Sequence, residues 1–178
     1  MPHSWKDALP QLLAQSKGDD RVRSTRICLV GVGNDLRGDD SVGLEVARAL
    51  LSDVRCRNRP DLLVFEGGPA PENRTGEIRA FQPGLVLFID AAQMDEPPGT
   101  IRWIPLDTID GMSASTHSMP LSILARYISL EFSCEVAVLG IQPGQNAIGS
   151  ELTPPVRAAV DEIVDEICAL LNRNLCAE

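Results

Sequence analysis

The sequence predicts a single three-layer α/β/α domain, with helices on both faces of a mostly parallel sheet and one antiparallel strand at its edge. Three observations carry this expectation. The 178 residues are close to the ~150 typical of one domain, and no repeat, low-complexity tract or long linker divides them. Short, continuous apolar runs recur, as in sheets covered on both faces. Segments with apolar residues at helical spacing separate these runs, which is the rhythm of strands joined by crossover helices.

The elements follow in order. Residues 1–25 form a polar N-terminal extension in which Trp5, Leu9, Leu12 and Leu13 have helical spacing, so a short docked helix is expected before a charged turn at 17–20. The domain proper occupies residues 26–178. ICLVGV at 27–32 is its first strand. Residues 41–51 are a helix, with Val42, Val46, Ala49 and Leu50 on one stripe. LLVF at 62–65 is the second strand, closed by Gly67, Gly68 and Pro69; LVLFI at 85–89 is the third, ending at Asp90. Residues 100–105 form a short strand, placed at an edge because Pro105 lacks the N–H that a ladder needs. A helix over 119–130 and a buried strand, VAVLGI at 136–141, come next. The last helix carries Val156, Val160, Ile163, Ile167 and Leu170 along one face. Thr153 before Pro154 and Pro155 marks its start, as an N-cap followed by proline in the first turn.

Composition narrows the function. With 25 acidic against 16 basic residues the formal charge is −9. That argues against a nucleic-acid groove or an anionic membrane surface, both of which need clustered positive charge. No apolar run reaches the ~18 residues of a membrane span, and the N-terminus lacks the apolar core of a signal peptide, so a cytoplasmic protein is expected. Histidine occurs only at His3 and His117, and the five cysteines (Cys28, Cys56, Cys134, Cys168 and Cys176) contain no C-x-x-C pair. A structural zinc site is therefore not expected. The scattered cysteines read as small buried apolar residues in a reducing compartment.

The segment richest in chemistry is GVGNDLRGDDSVG at 31–43, between a strand and a helix. In an open α/β sheet, ligands bind at this end of the strands. It fails as a dinucleotide fingerprint because Leu36 stands where the third glycine belongs. It fails as a phosphate-cradling loop because Asp39 and Asp40 follow Gly38 in place of lysine. At ~4 Å and an effective dielectric of ~20, each carboxylate would repel a phosphate by about 4 kcal/mol. The loop rejects phosphate and attracts a cation. A helix cap accounts for one of these acids, but not for both, nor for Asp35 just before them.

Three further residues can reach the same crevice. Asp90 ends a buried strand and faces the loop if the two strands are parallel neighbours; its plainer reading is an Asx-turn. His117 precedes a helix and enters from the opposite side if the 100–105 strand runs antiparallel; its plainer reading is a hydrogen-bonded structural histidine. Glu66 closes the second strand at the same mouth, and Gln142, Pro143 and Gly144 follow VAVLGI at the same edge. Two carboxylates and one imidazole on three loops suit a divalent transition ion with open positions, or metal-free acid–base chemistry.

Five segments then carry a resemblance: GVGNDLRGDDSVG, EGGPAPEN at 66–73, FIDAAQM at 88–94, THSMPL at 116–121 and LGIQP at 139–143. In these motifs the sequence closely resembles the NiFe-hydrogenase maturation proteases, and the likeness runs over roughly residues 26–172. THSMPL and GIQP look most like the branch that processes formate-hydrogenlyase-type (hydrogenase 3) large subunits. The resemblance implies a five-stranded sheet and an endopeptidase, aspartic-type by family classification. Such an enzyme removes a C-terminal extension from a hydrogenase large-subunit precursor after nickel insertion. It implies that Asp40, Asp90 and His117 contact the nickel carried by that substrate, with no tightly bound metal of the chain's own. Glu66 stands where the family pattern has aspartate, keeping the charge on an arm ~1.5 Å longer, and is a candidate catalytic or supporting group. Two rival readings are a non-catalytic, nickel-dependent checkpoint that binds the large subunit, and a nucleotide-binding α/β protein, against which Asp39 and Asp40 argue.

Overall fold

The computed structural model describes residues 5–15, 26–109 and 119–175. Its strands are β1 (Ile27–Val32), β2 (Leu62–Gly68), β3 (Leu85–Ala91), β4 (Ile101–Trp103) and β5 (Glu135–Ile141). They form one sheet in the order β2-β1-β3-β5-β4. The first three and β5 run parallel, and β4 pairs antiparallel with β5 at the edge. The helices are α1 (Trp5–Gln15), α2 (Val42–Ser52), α3 (Thr75–Phe81), α4 (Leu121–Phe132) and α5 (Pro154–Leu175).

Every residue of β1 and β3 is buried, because both strands are central and covered on both faces. Their side chains alternate between two cores, as the two-residue strand period requires. Leu29, Leu87, Ile89 and Leu139 pack with α1, α2 and α5. Cys28, Val30, Val86, Phe88 and Val138 pack with α3 and α4. The stripe expected on the last helix, Val156 through Leu170, is buried along α5. Each such side chain contributes on the order of 1.5–3 kcal/mol by leaving water.

Several boundaries differ from the sequence expectation, each for a physical reason. β2 continues to Gly68 because Gly31 and Val32 pair with Glu66 and Gly68, so the ladder overrides the weak strand preference of Glu and Gly. β3 continues past Ile89, so Asp90 sits inside the strand opposite Gly140 rather than in an Asx-turn after it. α4 starts at Leu121 instead of 119 because the residue before Pro120 is disfavoured in helical conformation. α3 was not anticipated. It has seven residues with Ile78 alone buried, too little to show a period.

α1 lies across the β4 edge. The Trp103 indole Nε1 donates to the Trp5 carbonyl at 2.9 Å, the Trp5 Nε1 donates to Glu162 at 3.3 Å, and Trp5 and Leu9 are buried in the core. A cavity of about 390 Å³ remains between α1 and the β4–β5 edge, lined in part by Leu12, Trp103 and Val136. Among the described residues, no helix is long and apolar enough to cross a membrane.

Candidate active site

The strand order reverses direction between β1 and β3, since the chain goes from β1 outward to β2 and then returns to the other side. Such a switch point opens a crevice at the carboxyl ends of the strands. Asp40 follows β1 and Asp90 closes β3, so the two acids flank it. Both are buried, Asp40 to 0% and Asp90 to 2% relative exposure. Asp90 belongs to the even-numbered set of β3 that faces α3 and α4.

Two glycines let the loop close at this point. Gly33 has φ +141°, and a Cβ there would stand 1.9 Å from the carbonyl oxygen of Asp40. That same carbonyl accepts from the Asn34 N–H at 3.1 Å, which folds the 34–40 segment back on itself. Gly43, in the first turn of α2, is wedged between β1 and β3. A Cβ there would lie 2.1 Å from the Ile89 carbonyl and 2.3 Å from that of Val32. The helix backbone thus sits directly on the two strands, and the 3-10 turn Gly38–Ser41 packs against β3. This is how a residue of the β1 loop comes to share the crevice with Asp90.

The paired acids have different work. Asp39 is buried and accepts four hydrogen bonds: from the Gly144 N–H at 2.7 Å, the Gln145 N–H at 2.9 Å, the Thr153 N–H at 2.7 Å and the Thr153 hydroxyl at 2.9 Å. It clamps the β1–α2 loop to the β5–α5 loop and does not cap α2, whose N-cap has no side-chain hydrogen bond. Asp39 is thereby committed to structure, and Asp40 is the acid of the pair that flanks the crevice with Asp90. Gln142 makes a second clamp. Its buried Oε1 accepts from the Met94 N–H at 2.7 Å and the Glu96 N–H at 3.4 Å, tying the segment after β3 to the end of β5.

Glu66 ends up in an ion cluster rather than alone at the mouth. Arg48 on α2 donates to Glu66 at 2.6 Å, to Asp35 at 2.7 Å and to Glu45 at 2.9 Å. These bonds, to Asp35 first and Glu66 next, hold the Arg48 guanidinium even more firmly protonated than usual. The third acid of the loop, Asp35, is therefore a partner of Arg48. His117 lies outside the described residues. Met119 and Pro120, which follow it, lead into α4, and α4 ends beside the start of β5, so its first turn lies at the carboxyl end of the parallel strands. The rim carries two exposed apolar side chains, Leu36 and Ile148, on loops joined by the hydrogen bond from the Gly149 N–H to the Leu36 carbonyl at 2.8 Å.

Sequence reasoning missed Asp39 as a clamp and Arg48 as a hub. The Glu45–Arg48 spacing at i,i+3 was a visible hint of the second. The partners of Asp39 lie more than a hundred positions away, and nothing local signals them.

Fold and site together define an α/β protein of doubly wound order whose switch point carries two buried acids, Asp40 and Asp90. The family model for hydrogenase maturation proteases, HycI, matches residues 45–170. The chain is 36% identical over 142 residues to the hydrogenase 3 maturation protease of Escherichia coli K12, covering 78% of this chain and 86% of that one. It superposes on the crystal structure of a NiFe hydrogenase maturation protease, HycI, from Thermococcus kodakarensis KOD1 with a TM-score of 0.74 and 35% identity, over 83% of this chain and 92% of the other. The solution structure of the endopeptidase HycI from Escherichia coli gives 0.68 and 34%, over 79% and 87%. The chain belongs to the hydrogenase maturation protease family, and its activity is that of a maturation endopeptidase.

Proposed function

We propose that this chain removes the C-terminal extension of a hydrogenase large-subunit precursor that already carries nickel, and that it reads the nickel through Asp40, Asp90 and His117. The observation that carries the proposal is the pair of carboxylates buried at one switch point. Carboxylate oxygens suit a divalent ion, and two of them at one crevice can take a cation that the substrate brings. Family membership supplies the hydrolytic half of the proposal.

The substrate's nickel, held by the precursor's own ligands, docks against the two carboxylates and the imidazole. Docking fixes the scissile bond at the crevice, so that hydrolysis by water proceeds from a positioned complex rather than a diffusive encounter. Leu36 and Ile148 offer an apolar contact to the residues flanking that bond. Glu66, engaged by Arg48, supports the loop. The cytoplasm is the expected setting.

Purified precursor, with and without nickel, tests the reading by mass spectrometry. The nickel-loaded form should lose its C-terminal peptide, and Asp40→Asn, Asp90→Asn and His117→Ala should each abolish the loss. Full cleavage by all three variants would sink the site assignment. Nickel-dependent binding with unchanged precursor mass would identify a checkpoint instead of a protease.

A further inference from the structure

The loop that carries Asp40 also carries an arginine with nothing to hold. The Arg37 carbonyl accepts from the Asp40 N–H at 3.1 Å, so this residue stands one turn before the acid. Its side chain is half-buried, and its Nε is buried without a hydrogen bond. Arg48, Arg74 and Arg157 are each paired with a carboxylate; among the described residues Arg37 has no such partner. Across the rim, on the loop after β5, the side-chain Oδ1 of Asn146 is likewise buried and unbonded. Two backbone bonds join these loops, from the Gly149 N–H to the Leu36 carbonyl at 2.8 Å and from the Asp39 N–H to the Gln145 carbonyl at 2.9 Å. Arg37 lies between the bonded positions on one loop and Asn146 between those on the other. They therefore share one patch, with Leu36 and Ile148 exposed beside them.

Buried polar groups in folded proteins are nearly always paired. Two that are not, on one patch at the mouth of the crevice, point to a partner that arrives with a ligand. We propose that Arg37 and Asn146 form a subsite for the main chain of the substrate's C-terminal extension. The Arg37 guanidinium donates to a peptide carbonyl, and the Asn146 amide, which carries both an acceptor and a donor, bonds a neighbouring peptide group. The inference rests on the endopeptidase reading above and adds two positioning residues to it. Charge favours a peptide oxygen as the ligand of Arg37. Asp40 and Asp90 suit the substrate's cation and repel its carbonyl oxygens, and Arg37 is the basic residue of the 33–41 loop. A fixed positive charge one turn from Asp40 weakens that carboxylate's hold on a metal, and a bond to the substrate's own oxygen offsets the cost. Main-chain bonds from Arg37 and Asn146, with apolar contacts from Leu36 and Ile148, are the combination that recognises an extended peptide.

The kinetics of cleavage of nickel-loaded precursor test this. Arg37→Met should raise KM about tenfold and Asn146→Ala about threefold, each with kcat changed by no more than roughly twofold. Arg37→Lys should recover part of the loss. Arg55→Met, which removes the same charge beyond the far end of α2, should leave both constants as they were. Melting temperatures check that the variants are folded. A second measurement needs no turnover: binding of the precursor is compared with binding of the mature large subunit, which lacks the extension. The parent chain should prefer the precursor, and Arg37→Met should lose most of that preference. Such a loss, found with a parent chain that does not cleave, would support the subsite and sink the proposed cleavage alone. An unchanged KM in both variants, or a parent chain that binds precursor and mature subunit equally, overturns the subsite. So does a fall in kcat at constant KM, which would put Arg37 on the reacting carbonyl instead.

Discussion

The two ends of the sheet are built from different materials. At the carboxyl ends of β1, β3 and β5 the described chain buries Asp39, Asp40, Ser41, Asp90 and Gln142. Among the described residues these are all of its buried polar and charged side chains. Toward the amino ends, burial among the described residues is apolar: Ile27, Leu85, Leu50, Cys28, Cys56 and Cys134. The apolar end stabilises the fold. The polar end holds Asp39 and Gln142, which clamp loops, and Asp40 and Asp90, which flank the crevice. On the proposed function, stability and chemistry are thus separated along the strands, and at the DD pair they are separated by one residue.

The largest effect that sharpens this contrast is at Asp40 and Asp90. Replacing either by asparagine removes charge and keeps shape, so precursor cleavage should vanish while the chain stays folded. A large drop in melting temperature from both variants would erase the distinction between holding and reacting groups. Next comes Leu50→Ala at the apolar end. It should cost about 2–5 kcal/mol of stability, as for a fully buried leucine, measured by denaturant unfolding, with turnover per folded molecule unchanged. Asp39→Asn sits between the two. With one acceptor oxygen left for four donors, it should lose about 2–4 kcal/mol, and cleavage should fall as well, because the clamped loop carries Asp40. The smallest effect belongs to Arg48→Met. Its ion pairs are exposed and should cost no more than about 1 kcal/mol, and any loss of cleavage should be partial, reflecting a looser Glu66 and Asp35.

Apolar runs made the strands legible, and the parallel order with an antiparallel edge followed from them. What escaped was set by partners far away in sequence. Glu66 to Gly68 are poor strand formers and join β2 only because β1 is beside them. α3 is stabilised by packing of Ile78 rather than by any pattern of its own. The site was readable in part. Asp40 lies in the loop after β1 and Asp90 near the end of β3, and the chemistry of that loop, two acids where a phosphate site would need a cation, is local information. The division of labour between Asp39 and Asp40 is not local, since it depends on where Gly144, Gln145 and Thr153 return in space.

The N-terminal helix gives the fold a boundary. A sheet ends wherever its last strand leaves peptide groups unanswered, and such a row is a template on which any extended segment can assemble. β4 is only three residues long, so it leaves few such groups open. The Trp103 indole, donating to the Trp5 carbonyl, ties α1 to that short edge strand.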